Sequence, residues 1–239
     1  MKIFVGKDYN EMSQIAANHV LGYMYQPSRV NLAITAGSTP KRIYELLIPH
    51  VKEKPHFENV HYYNFDEIPF KEESGFGVTM RNLKKMYFDP AGISTDHIHV
   101  LDETNYQTHD DRLAKDGGLD MIIIGIGADG HYCGNLPGTT TFNDITSAVA
   151  TDVSENMPEI IRGEVGGDMN KVPDFYVTMG PKSVMHARHI ILIANGEHKA
   201  DIIQKALFGP VDANVPASIL QMHPNLTVIL DKDAASKIR

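Results

Sequence analysis

The sequence is poor in cysteine, in positive charge and in long apolar runs. Cys133 is the sole cysteine in 239 residues, so no internal disulfide can form and a reducing compartment is the natural setting. Lysine and arginine number 22 against 30 aspartates and glutamates, a formal net charge of −8. No basic block occurs, which argues against nucleic acid and an anionic membrane surface as partners. A small anion stays open, since it needs only a few local cations and backbone N–H groups. No apolar stretch approaches a signal-peptide core or a membrane span, so the expected location is cytoplasmic. Internal repeats, low-complexity tracts and a Pro/Gly/Ser linker are also lacking. Residues 1–239 therefore read as a single domain, which the length permits.

What is present is an alternation of two periodicities. Short β-branched runs at 2–5, 31–35, 60–65, 97–101, 121–127, 175–179, 189–194 and 226–230 read as strands. Helical spacing occupies 11–25, 40–52, 79–87, 110–115, 198–207 and 217–222. The run Met121-Ile122-Ile123-Ile124 is apolar on both faces, as a central buried strand should be. The expected fold class is α/β: a doubly wound, mostly parallel sheet with helices on both faces. In such sheets ligands bind beyond the carboxyl ends of the strands. Chemistry is therefore sought in the loops after residues 35, 65, 127 and 194.

Three of those loops carry unusual residues. In Thr35-Ala36-Gly37-Ser38-Thr39-Pro40, Gly37 permits a tight turn, Ser38 or Thr39 can cap the following helix, and Pro40 suits its first position. A helix start with free N–H groups favours a phosphate, although the GxxxxGK[ST] pattern is missing. In Asn64-Phe65-Asp66-Glu67-Ile68, two carboxylates are adjacent on an extended chain, so only one should face a pocket. A carboxylate beside a carbon acid can shuttle a proton between neighbouring atoms. In Gly125-Ile126-Gly127-Ala128-Asp129-Gly130-His131, glycines allow a sharp bend, and Asp129 and His131 supply an acid/base pair. A dinucleotide turn fits this loop poorly, because His131 stands where the helix should follow.

Taken in order, AGSTP, NFDE and GIGADGHYCGNLPG resemble the glucosamine-6-phosphate isomerase/deaminase family and its relatives, the 6-phosphogluconolactonases. The likeness continues through Val172-Pro173, Thr178-Met179-Gly180, Gly196-Glu197-His198-Lys199-Ala200 and Leu220-Gln221-Met222-His223-Pro224. It implies a Rossmann-like domain acting on a hexose 6-phosphate, with no cofactor and no metal. Gly37, Ser38 and Thr39 fall where the family's phosphate loop lies. Lys199 matches a phosphate-gripping lysine, and Arg162 a phosphate arginine once one residue is inserted before Val172. Asp66 aligns with the deaminases' proton shuttle between C2 and C1. Asp129 and His131 align with the pair serving ring opening.

The sequence departs from the deaminases at Leu136, where they carry a glutamate that orients the histidine. The segment 188–200 leans toward the lactonases. The stretch Arg81-Asn82-Leu83 and the stretch Gln221-Met222-His223-Pro224 lean toward the deaminases. The expected activity is deamination or isomerisation of an amino-sugar 6-phosphate, with lactone hydrolysis and a non-catalytic sugar-phosphate sensor as the alternatives. The expected partner is a small sugar phosphate, and a homo-oligomer is left open. His97 and His99 form an H-x-H pair without an obvious third ligand, which reads as structural or surface. Cys133 reads as a small buried residue rather than a nucleophile.

Overall fold

The computed structural model describes residues 1–155 and 157–238. The strands are β1 (Lys2–Gly6), β2 (Val30–Ala33), β3 (Val60–Tyr63), β4 (Asp66–Glu67), β5 (Ile98–His99), β6 (Met121–Ile124), β7 (Ser147–Ala150), β8 (Phe175–Thr178), β9 (Ile190–Ala194) and β10 (Leu226–Asp231). The helices are α1 (Tyr9–Met24), α2 (Lys41–Val51), α3 (Val78–Leu83), α4 (Asp89–Ala91), α5 (His109–Lys115), α6 (Met157–Glu164), α7 (Pro181–Met185) and α8 (Ala200–Phe208).

Seven strands form one parallel sheet in the order β1-β10-β9-β6-β2-β3-β5. Its central strand, β6, is buried from both sides as its composition requires. Met121 and Ile123 face a core shared with α1, α2 and α3; Ile122 and Ile124 face one shared with α5, α7 and α8. The doubly wound α/β expectation thus holds, with helices on both faces. From β2 the chain steps outward to β3 and β5, then returns to lay β6 against the other side of β2. Connections leaving β2 and β6 therefore diverge, opening a crevice at their carboxyl ends where ligands of such sheets bind.

A second sheet departs from expectation. Residues 175–178 alternate like a strand of the main sheet, yet β8 is the middle of a small antiparallel sheet, β4-β8-β7. Its two faces explain the resemblance to a buried parallel strand: Val177 belongs to the large core, Tyr176 to a third cluster with Val149, Met157 and Ile161. β7 and α6, absent from the sequence reading, complete this unit. A hydrogen bond from Met179 N–H to the Phe65 carbonyl, 2.7 Å, ties it to the end of β3. Smaller differences are a π turn over 84–88 after α3 and a 3₁₀ rather than α segment at Pro216–Met222. Among the described residues no helix is long and apolar enough to cross a membrane.

Candidate active site

A cavity of ≈ 500 Å³ opens at the divergence of β2 and β6. The loops after β2, β3, β6 and β9 all reach it, and so do α3, α6 and β8. Of the eight residues expected to form the site, Gly37, Ser38, Thr39, Asp66, His131 and Lys199 line it. Asp129 stands behind His131. Arg162 is not brought to it.

The loop after β2 turns at Gly37, whose φ of 112° lies in the left-handed region that a Cβ disfavours. The expected side-chain cap on α2 does not form. Pro40 occupies the cap position without a side-chain bond, and Thr39 Oγ1 instead donates to Asn195 Oδ1 at 3.0 Å. The Tyr9 hydroxyl accepts from Arg42 N–H at 3.1 Å. The start of an eleven-residue helix therefore has no carboxylate or hydroxyl of its own loop on its amides, and it keeps the partial positive charge that attracts an anion. The Thr39–Asn195 bond fastens this loop to the one after β9. From that second loop Lys199 Nζ reaches the carbonyl of Ile126, 2.7 Å away. Burial lowers the lysine's pKa, and the nearby Asp129 charge opposes that shift.

The adjacent carboxylates divide as extended geometry requires. Asp66 faces the cavity, where its Oδ1 accepts from the Thr79 hydroxyl at 3.0 Å. Glu67 points inward and is 1% exposed. Its oxygens accept from the backbone N–H groups of Ile68, Thr79 and Met80 at 2.7–3.0 Å, capping α3. Glu67 thus holds the helix start that delivers Thr79 to Asp66. Burial pushes the Asp66 carboxyl up to about 6. The Thr79 hydroxyl and His131 pull it down, and Glu164 adds to the rise.

His131 Nδ1 lies 2.7 Å from Asp129 Oδ1, and His131 N–H donates to the same oxygen at 3.1 Å. That contact holds the Asp129 carboxylate down at about 2. Gly127 makes room for the pair: a Cβ there would stand 2.1 Å from His131 Nδ1 and 2.6 Å from Asp129 Oδ1. Cys133 also lines the cavity, in a left-handed backbone conformation with φ 49°. Burial and the neighbouring Asp66 charge push its thiol well up, so the thiolate needed for nucleophilic attack is disfavoured.

Arg162 is the one expected site residue that the structure sends elsewhere. Its guanidinium is half-exposed on α6, paired with Glu159 at 2.7 Å and reaching the Gly167 carbonyl. One residue further from the Val172-Pro173 turn, on a helix, is enough to rotate a side chain by about 100°. Leu136 does line the cavity and packs against the cluster of the small sheet with Ile68, Phe70 and Val172. Sequence reasoning missed Thr79 and Tyr176 and finds no pattern that lifts Glu164 above surface chemistry, yet all three are on the cavity wall. Thr79 alone had a local signal, as the first residue of a helical pattern soon after the acidic pair.

The histidine pair gains a third member that the sequence did not reveal. His61 Nδ1 is 2.9 Å from His99 Nε2, and its ring meets His97 edge-on at 5.0 Å. These rings lie outside the cavity. Among the described residues, no group of three or more His, Cys, Asp or Glu is disposed to hold a metal ion.

Residues 8–229 match the family described as glucosamine-6-phosphate isomerases/6-phosphogluconolactonase. The chain is 34% identical to the glucosamine-6-phosphate deaminase of Clostridium novyi (strain NT), with 100% of each chain covered. It is 35% identical to glucosamine-6-phosphate deaminase 2 of Bacillus subtilis (strain 168), covering 100% of this chain and 98% of the relative. A solved structure described as a monomeric glucosamine-6-phosphate deaminase superposes with a TM-score of 0.83 at 26% identity, over 99% of this chain and 100% of the other.

Proposed function

The chain belongs to the glucosamine-6-phosphate isomerase/6-phosphogluconolactonase family, and we propose that it is an enzyme converting an amino-sugar 6-phosphate to a ketohexose 6-phosphate and ammonia. The observation that carries this reading is Asp66: a carboxylate facing the cavity, burial-shifted to about 6 and within one void of His131. A base of that pKa is ionised near neutral pH yet basic enough to take a proton from carbon.

In this reading residues 1–239 act as one unit on the open sugar. The phosphate sits on the Gly37–Thr39 loop and the start of α2, with Lys199 beside it. Binding energy from this non-reacting end then positions the reacting carbons. His131, oriented by Asp129, relays the ring proton as the ring opens to the aldehyde. Asp66 takes the proton from C2 and returns it to C1. One proton of the C2 ammonium passes to the C1 oxygen by way of His131, so the aldehyde at C1 becomes a hydroxymethyl group and the amine-bearing C2 becomes an iminium. Water adds to that iminium and ammonia leaves. The sequence is redox-neutral: the C2 proton moves to C1 through Asp66, one ammonium proton moves to the C1 oxygen through His131, and water supplies the oxygen that replaces nitrogen at C2.

Leu136 supports a second reading. With an apolar side chain beside the histidine loop, His131 could activate water against a lactone carbonyl instead. Ammonia and ketohexose 6-phosphate from glucosamine 6-phosphate or galactosamine 6-phosphate support deamination. Acid release from 6-phosphogluconolactone, with silence on both amino sugars, would replace it with hydrolysis.

A further inference from the structure

Glu164 ends α6 and lies exposed at the lip of the cavity that Asp66 faces. Its position is set by packing rather than by a polar partner. Met157, Ile161 and Val165 seat α6 on Tyr176 and Val149 of the small sheet. The helix's own cation, Arg162, is taken by Glu159. Among the described residues, no hydrogen bond or ion pair engages the Glu164 carboxylate, and its field reaches Asp66. Among the described residues, the lysine on the wall is Lys199, whose ammonium is held at the Ile126 carbonyl. The wall also carries the apolar side chains of Ile68, Leu136 and Met157 and the neutral hydroxyls of Thr79 and Tyr176. Two carboxylates, one sunk and one at the rim, thus line one void, and among the described residues neither is ion-paired.

We propose that Glu164 is a specificity-determining residue: its carboxylate receives the C2 ammonium of the amino sugar while Asp66 faces the C2 carbon. The inference rests on the deaminase reading, since only an amino sugar brings a cation to that place. A hydroxyl at C2 gains little from an anionic rim, and an aldonate carboxylate is repelled by it.

The test uses two unreactive open-chain probes: glucosamine 6-phosphate and glucose 6-phosphate, each reduced at C1 to the alditol. Their binding to wild type and Glu164→Gln is measured by calorimetry, with ammonia release assayed alongside. Wild type should prefer the amino alditol, and the variant should lose roughly tenfold in affinity for it, the scale of one charge-assisted hydrogen bond. Affinity for the amine-free alditol should stay unchanged. Turnover should show a raised KM with kcat nearly intact. The acid limb of kcat/KM should also move to lower pH, because one negative neighbour of Asp66 is gone. The other groups around Asp66 are retained: the inward-pointing Glu67, the Thr79 hydroxyl of α3, His131 and Cys133 of the β6 loop, and Tyr176 of β8. Equal loss for both alditols, no loss for either, or no amino preference in wild type would overturn the proposal. A wild type that prefers the amino alditol yet releases no ammonia would overturn the deaminase reading while sustaining the role of Glu164.

Discussion

Asp129 Oδ1 accepts from the backbone N–H of His131 and lies 2.7 Å from its Nδ1, so one oxygen fixes both the chain and the ring. The imidazole is thereby committed, with its Nε2 left for whatever enters the cavity. The pair fits only because residue 127 has no side chain. Gly127→Ala should displace the ring rather than unfold the sheet, since the clash is with His131 Nδ1 and Cε1 and with Asp129 Oδ1. A loss of about 100-fold in kcat is expected, the usual scale for a misplacement near 1 Å. Steady-state kinetics and a thermal melt check it, with the melting temperature changing little.

Asp66 gives the pH dependence its sign. A base must be ionised to work, so kcat/KM should fall as pH drops through about 6. Asp66→Asn should flatten whatever activity remains across that limb. A pH–rate profile of both proteins reads this directly.

The same shift has a consequence for folding. The folded pKa lies above the ordinary value of 3.8, so the folded state binds the proton more tightly than the unfolded chain does. Stability therefore falls as pH rises from about 4 to about 6, and the cost persists at neutral pH. Asp66→Asn should raise stability at pH 7 by on the order of 2 kcal/mol, and by almost nothing at pH 3. Urea denaturation at the two pH values measures the difference. An active-site change that makes the fold stronger is the signature of a carboxylate held for chemistry.

The anion end of the cavity separates two cations. Lys199→Met should raise KM for the phosphorylated sugar by roughly tenfold or more, the worth of a charge-assisted contact. Arg162→Ala should leave KM within about twofold, the range of a surface substitution, because its guanidinium is spent on Glu159 and the Gly167 carbonyl. A large KM effect at Arg162 would mean that α6 turns inward when substrate binds.

The inner strands β2, β6, β9 and β10 of the main sheet were legible because they are buried on both faces and carry near-continuous apolar runs, Met121–Ile124 above all. The Asp66–Glu67 division was legible from strand alternation alone. What escaped is the small sheet and its helix. β7 has four residues of modest burial, and α6 shows only two buried positions, Met157 and Ile161, too few to mark a period. With α6 unread, the position of Arg162 could not be fixed and Glu164 could not be placed on the cavity wall with Asp66. The third histidine was hidden for another reason: His61 meets His99 across strands 38 residues apart, a pairing that only topology reveals.

The central claim is that Asp66 moves the C2 proton, and single-turnover ammonia release tests it most directly. Wild type and Asp66→Asn would be mixed in excess over glucosamine 6-phosphate or galactosamine 6-phosphate at neutral pH, with binding of the reduced alditol phosphate measured in parallel. The prediction is a rate lower by on the order of 10²–10⁴-fold in the variant, with alditol affinity essentially retained. A variant that releases ammonia at the wild-type rate would contradict the account.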